Sequence, residues 1–368
     1  MKMIKKSIAT IAILMATAGF AQDSKTVFSG NADFYYRYDF ANAGVGVTNN
    51  NTSFTNSHDS FELGMASIKA SHTEGKASVL ADLGFGKRAS EFTYNDKETQ
   101  FMIKQLNMTY NFSERFKITA GSFATHLGYE LVDAVDNKNY SMSYAFTNGP
   151  FFNTGVKATF TSGKLNLMAG VVNPTDFKTA VEANTNQKTI IGQLGYTADS
   201  GSIYLNFTTG AAVVKSTIPD PLAPIQPATI DIFTKTSRQQ IDLVASKKLT
   251  DKFTLGFNGT YATVAVDLPG VDATNWMSGI VYAQYATSAA STLAYRFEYF
   301  SDRTTGIIVP ENNIVANTLS MNFKEGKFTF IPEIRFDMST QEIFKKNKNL
   351  FDTSKTAGSI LFATTYSF

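Results

Sequence analysis

The feature that most constrains this chain is a period of two running almost its whole length. From about residue 26 onward, apolar side chains recur at every second position. That is the period of a strand with two unlike faces, not the 3.6 of a helix. Leu165, Leu167, Ala169 and Val171 alternate with Lys164, Asn166, Met168 and Gly170. Leu293, Tyr295, Phe297 and Tyr299 alternate with Ala294, Arg296, Glu298 and Phe300. Each segment carries one continuous apolar face and one face that is small, polar or charged. No stretch reads as an amphipathic helix.

Sixteen such segments are predicted, near 27–40, 59–72, 75–85, 100–112, 115–127, 151–161, 164–173, 188–198, 201–211, 236–248, 252–265, 275–287, 290–301, 314–324, 327–337 and 357–368. Seven connections are tight: Thr73-Glu74, Ser113-Glu114, Ser162-Gly163, Asp199-Ser200, Leu249 to Asp251, Ser288-Ala289 and Glu325-Gly326. The other eight are long, and short and long alternate without exception. An outer-membrane β-barrel has short periplasmic turns and long external loops. With both ends of an even-stranded barrel in the periplasm, the long loops outnumber the turns by one, which fits eight and seven. The fold class expected is therefore all-β, a transmembrane antiparallel β-barrel of about sixteen strands. A soluble sandwich would not follow the short–long rule and would carry a charged outer face. A β-helix would show a fixed repeat, and none is present. Pro332 alone among the prolines falls inside a segment, which implies a bulge or a shifted boundary there.

Composition agrees with a membrane barrel. The 368 residues are 43% hydrophobic with 31 Phe and 16 Tyr, yet only 17% charged. The last strand closes on a terminal aromatic: Phe362, Tyr366 and Phe368 share one face, opposite Ser359, Ala363 and Thr365, with Leu361 as a misfit. This pattern resembles the C-terminal signal read by the barrel-assembly machinery. Tyr36, Tyr38, Tyr110, Tyr299 and the single Trp276 fall near strand ends, where interfacial girdles place amphipathic rings. At the other end, Met1 to Lys6 is basic, Ser7 to Phe20 is apolar or small, and Gly19 and Ala21 suit a signal peptidase. Residues 1–21 read as a secretory signal peptide and 22–368 as the barrel. No Cys is present, so neither a disulfide scaffold nor a thiolate metal site can form.

Charges on the lipid face would be costly, so mid-strand charges should face the lumen. Those are Asp33, Arg37, Asp39, Asp82, Lys157, Asp242, Arg296, Glu298, Glu333 and Arg335. A sixteen-stranded lumen is too wide for wall side chains to fill, so an aqueous channel is expected. The third long connection, 128–150, mixes Glu130, Asp133, Asp136 and Lys138 with Tyr129, Tyr140, Tyr144 and Phe146. A fully solvated loop would not need so many aromatics. The expectation is a loop folded inward as a pore constriction, carrying Glu130, Asp133, Asp136, Lys138 and Tyr140, its acids facing some of Arg37, Arg296 and Arg335.

Three stretches carry a family resemblance: Ile118-Thr-Ala-Gly-Ser-Phe-Ala-Thr-His-Leu-Gly-Tyr-Glu130, Asn139-Tyr-Ser-Met-Ser-Tyr-Ala-Phe146, and Gly149-Pro-Phe-Phe-Asn-Thr-Gly-Val-Lys-Ala-Thr159. They continue into Leu167-Met-Ala-Gly-Val-Val-Asn173. Together they resemble the OmpL-like β-barrel porins common in Bacteroidota. The resemblance implies an outer-membrane barrel of porin function, with no defined substrate and no catalytic residues.

Enzyme chemistry finds no foothold in the pattern. His58, His72 and His126 fall on different parts of the expected barrel, which argues against a metal cluster. Asp136-Asn-Lys-Asn lacks the Gly and distal Glu of a calcium loop. No catalytic residue, metal or cofactor is assigned. Near balance of 33 Lys+Arg against 31 Asp+Glu leaves no electrostatic footprint for nucleic acid. The partners implied are outer-membrane lipid, the barrel-assembly machinery, small hydrophilic solutes or ions, and other copies in a homo-oligomer. Two functions fit: a passive diffusion porin, or a non-conducting structural or binding barrel, alone or as a subunit of an envelope complex.

Overall fold

The structure, a computed structural model, describes residues 24–42, 49–96, 98–179, 187–219, 229–266, 272–304, 309–346 and 349–368. The segment 1–21, read as a signal peptide, lies outside the described residues.

Sixteen antiparallel strands close into one barrel. They are β1 (Ser24–Asp39), β2 (Ser60–Glu74), β3 (Ala77–Phe85), β4 (Ile103–Asn111), β5 (Phe116–Ala124), β6 (Phe152–Ser162), β7 (Leu165–Val172) and β8 (Thr189–Ala198), then β9 (Gly201–Pro219), β10 (Thr229–Lys248), β11 (Phe253–Val266), β12 (Thr274–Ser288), β13 (Ser291–Asp302), β14 (Asn312–Glu325), β15 (Phe328–Ser339) and β18 (Thr356–Ser367). Between the last two, β16 (Phe344–Lys346) and β17 (Asn349–Ser354) form a separate hairpin. Two short helices lie in long connections, α1 (Lys87–Phe92) and α2 (Tyr144–Asn148). Each barrel strand pairs with its neighbour in sequence, and β18 closes the ring against β1, from Asn31↔Ser367 to Asp39↔Ser359. Closure leaves no barrel edge with unpaired backbone groups, the requirement for a sheet in lipid.

The alternation sets the register. On β13, Leu293, Tyr295, Phe297 and Tyr299 are exposed on the outer face, while Ala294, Arg296, Glu298 and Phe300 are buried inside. A one-residue slip would put Arg296 against acyl chains at about 2–4 kcal/mol. On β18, Phe362, Tyr366 and Phe368 face outward, and Leu361, Ala363 and Thr365 are buried inward.

Four details correct the sequence reading. Four tight turns centre one or two residues later than expected, the one after Ser288 and those at Gly75, Gly163 and Gly326, where φ is +54°, +58° and +58°. Only glycine enters that region without strain. The connection at 212–235 is largely strand, because β9 and β10 stay paired as far as Thr229↔Pro219. Its β-branched residues favour extended backbone. Pro332 neither bulges nor ends its strand: the β14–β15 register is the same at Ser320↔Glu333 and Phe323↔Phe330, and the ladder merely omits the two pairs between. Pro332 still pairs with Phe362 of β18. Trp276, expected in the interfacial girdle, is buried inside the barrel at 1% exposure, stacked on Phe300.

Candidate functional site: a lumen crossed by the third long connection

The connection between β5 and β6 enters the barrel instead of standing over it. Tyr140, Met142 and Tyr144 are completely buried. Ser143 caps α2 by accepting a bond from the Phe146 amide. The sixteen-stranded ring is too wide to pack on its own wall, so this segment supplies the missing core. Three apolar clusters include it. Tyr144 and Ala145 pack with Trp276, Ile280, Tyr282 and Phe300. Tyr140 and Ala134 pack with Tyr35, Ile331, Leu361 and Ala363. Met142 packs with Phe54, Phe92, Phe151 and Phe152. Leu361, the residue that broke the alternation of β18, breaks it because its inward face meets protein, not water.

Wall carboxylates bind the backbone of this segment. Glu333 accepts the Tyr140 and Ser141 amides at 2.7 and 3.1 Å. Glu298 accepts the Tyr144 and Ala145 amides at 2.8 and 2.9 Å. Guanidinium groups take the carbonyls between them: Arg296 donates to Ser141 O at 2.5 Å and Arg335 to Met142 O at 2.7 Å. In chain order the wall therefore reads acid, base, base, acid against amide, carbonyl, carbonyl, amide. Charge-assisted bonds of this kind are among the stronger ones.

Side chains add to the anchorage. Arg296 pairs with Glu130 at 2.5 Å, and the Ser143 hydroxyl donates to the other Glu130 oxygen. Asp133 takes Lys104 at 2.6 Å. The Tyr140 hydroxyl donates to Asp33 at 2.5 Å. Tyr144 donates to Asp337, which also pairs with Arg335. Asp242 accepts the Gly128 amide, and Asn206 and Asn258 donate to it as well. Arg88 of α1 lies between the rings of Phe54 and Tyr140, 4.7 and 5.0 Å from their centroids, with Asp33 at 3.6 Å.

Among the residues singled out by sequence, Glu130 does meet Arg296. Arg37 and Arg335 meet no acid of 128–150: Arg37 donates to Ser57 O in the first long connection, and Arg335 uses Asp337. Asp82 pairs with Lys104 and Lys69. Asp39 accepts from Asn49. Lys157 rests its ammonium 4.1 Å over the Phe123 ring, and Asp136 and Lys138 remain partly exposed in the lumen. Burial and the nearby Asp133 raise the Asp136 carboxyl above its ordinary value.

Sequence reasoning missed Lys104, Arg88 and Asp337. Lys104 sits where the β3–β4 register shifts, so its parity in the alternation misleads. Arg88 lies in a connection read as external. Asp337 continues the odd series of Glu333 and Arg335 and could have been found. The first and second long connections also fold inward, bringing Phe54 and Phe92 into the lumen.

Close approach constrains one glycine in particular. A Cβ on Gly64 would sit 1.9 Å from Asp33 Oδ2 and 2.9 Å from the Tyr140 hydroxyl. Gly64→Ala is expected to push Asp33 off Tyr140 and cost about 1–3 kcal/mol. A lowered thermal midpoint in the gel-shift assay for folded barrels checks it; an unchanged midpoint counts against the anchorage described.

Space remains beside the crossing segment. A cavity of about 400 Å³ is lined by Lys69, Gln105, Gln193, Tyr204 and Asn206 of the wall and by residues 125–128, 130–133 and Asp136 of the loop. A second, of about 250 Å³, lies against Lys138, Asn139, Tyr282 and Gln284 and shares Glu130 and Asp136 with the first. His58, His72 and His126 bond to Asn42, Thr26 and the Phe207 carbonyl respectively, far apart around the barrel. Among the described residues no group of three metal-ligating side chains occurs.

A sequence model of the family described as "Putative beta-barrel porin-2, OmpL-like" matches residues 25–368, nearly the whole chain. The chain belongs to this family. Solved structures of outer-membrane barrels share the fold. The trimer form of OmpT of Vibrio cholerae superposes with a TM-score of 0.63 at 12% identity, covering 94% of this chain and 100% of that one. OmpT expressed in the outer membrane gives 0.61 at 12%, covering 95% and 99%. The anion-selective porin from Comamonas acidovorans gives 0.59 at 11%, covering 94% and 100%. Likeness at such low identity carries the fold and nothing finer. None of the curated proteins matches. Like the porins whose family it shares, the chain is an outer-membrane β-barrel.

Proposed function

We propose that this OmpL-like barrel is a passive diffusion channel for small hydrophilic solutes or ions, and not an enzyme. The observation that carries the reading is the pair of cavities flanking 128–150, which share Glu130 and Asp136. In this reading 128–150 is the constriction, lined by Glu130, Asp133, Asp136, Lys138 and Tyr140. The wall charges Asp33, Arg37, Asp82, Lys157, Asp242, Arg296, Glu298, Glu333 and Arg335 hold or face it. Residues 1–21 direct export, and Phe362, Tyr366 and Phe368 form the signal for the barrel-assembly machinery. Lipid surrounds the barrel, and copies of it associate as a homo-oligomer. Planar-bilayer recording of the purified chain tests the function: stepwise openings are expected, together with liposome swelling that falls as sugars grow larger. A correctly folded but silent barrel would instead support the structural or binding role.

A further inference from the structure

Docking of the third connection engages most of the lumen's charges in direct contacts. The inward carboxylates are nearly all occupied. Asp33, Asp82, Asp133, Asp337 and Glu130 are paired to cations. Asp242, Glu298 and Glu333 hold backbone amides. Arg88, Arg296, Arg335 and Lys104 are engaged in the same contacts, while Arg37 and Arg238 donate to the Ser57 and Asn148 carbonyls.

Among the described residues, four lysines stand outside these contacts. Lys117 of β5 shares its face with inward Thr119 and Phe123, and Lys157 of β6 lies over that same Phe123 ring. Lys324 of β14 continues the inward series of Thr318, Ser320 and Asn322. Lys138, on the crossing segment, has its carbonyl held by Asn322 and lines the smaller cavity. Among the described residues none of the four is in an ion pair, and Asp136 is the one acid of the crossing segment without a cation partner. Lys117 and Lys324 lie close to the tight turns, in the short-turn half of the barrel, and Lys138 and Lys157 lie deeper in the lumen.

We infer that the channel selects for small anions, and that Lys117, Lys138, Lys157 and Lys324 set this preference, with the carboxylate of Asp136 opposing it. The inference rests on the channel reading above. Same-sign charges lining a cleft with low-dielectric walls focus the field and concentrate counter-ions there. The Debye length is about 10 Å at 0.1 M and about 3 Å at 1 M salt, so the preference should weaken as salt rises. Rings of charged side chains select ions in this way in other pores.

The test is the reversal potential of the full chain in planar bilayers under a potassium chloride gradient. At ~0.1 M, chloride is expected to be roughly threefold or more as permeant as potassium. The combination Lys117→Glu, Lys157→Glu and Lys324→Glu is expected to invert the sign of the potential. Asp136→Asn, a milder change that keeps the test open if the triple variant does not fold, should shift it further toward chloride. Open channels that favour potassium, or whose selectivity neither variant moves, overturn the anion preference alone. A folded barrel that never opens overturns the channel reading and this preference with it.

Discussion

Replacing residues 133–146 with a short Gly-Ser linker is expected to raise single-channel conductance severalfold, roughly three- to tenfold if the lumen then approaches an unplugged sixteen-stranded pore. The segment removed contains Tyr140, Met142 and Tyr144, which fill the lumen between β1, β13 and β15. Its loss also removes the amides held by Glu298 and Glu333, the carbonyl held by Arg335 and the carboxylate paired with Lys104. These groups would not be left buried and unpaired, because water enters the vacated space and solvates them. The barrel itself should therefore persist, since the closed ladder of sixteen strands owes no backbone bond to this segment. The single Trp276 offers a readout independent of conductance. It now packs in the cluster that holds Tyr144 and Ala145, and exposing it to water should move its emission to longer wavelength. An emission shift without any gain in conductance would show that the segment leaves the lumen and yet does not limit flow, which would remove its role as the constriction.

How far the sequence foretold this arrangement depends on the kind of signal. The ring of sixteen strands was legible because lipid on one side and a filled lumen on the other impose a strict period of two, as on β13. Turn positions slipped by a residue or two because alternation cannot say which glycine takes positive φ, and Gly75, Gly163 and Gly326 do. Trp276 was misplaced for a related reason. Proximity to a strand end suggested the girdle, but its even number puts it on the inward face with Ser278 and Ile280. The inward folding of 128–150 was legible from its aromatics. Its partners were not, because a loop's contacts depend on three-dimensional proximity across the lumen and no local periodicity encodes them. Lys104 shows this limit: a register shift beside it turns a residue of the wrong parity toward Asp133. The binding of backbone by acid and base side chains from β13 and β15 was likewise invisible in the sequence, which showed only that these charges faced inward.

That backbone recognition leads to the second large effect, at Arg296. The Arg296→Ala change is expected to destabilise the folded assembly by about 3–5 kcal/mol, the usual result of removing one partner from a buried pair. The side chain is 1% exposed and donates to Glu130, to the Ser141 and Met142 carbonyls and to the Thr318 hydroxyl. Alanine would leave Glu130 enclosed without its cation and the Ser141 carbonyl without its donor, while Met142 O keeps only Arg335. Lysine should rescue only partly, because one ammonium cannot span acceptors that a planar fork reaches together. Removing Glu130 as well should recover much of the loss, since two absent charges cost less than one stranded charge. The measurement is a double-mutant cycle on the thermal midpoint of the folded gel band, with Trp276 emission recorded alongside. Strand pairing does not involve these side chains, so the loss should appear first as release of 128–150, with a red-shifted Trp276 and noisier, larger openings. If the losses from Arg296→Ala and Glu130→Ala simply add in the double variant, the pair contributes nothing, and the carbonyl bonds alone account for the role of Arg296 in holding the segment across the lumen.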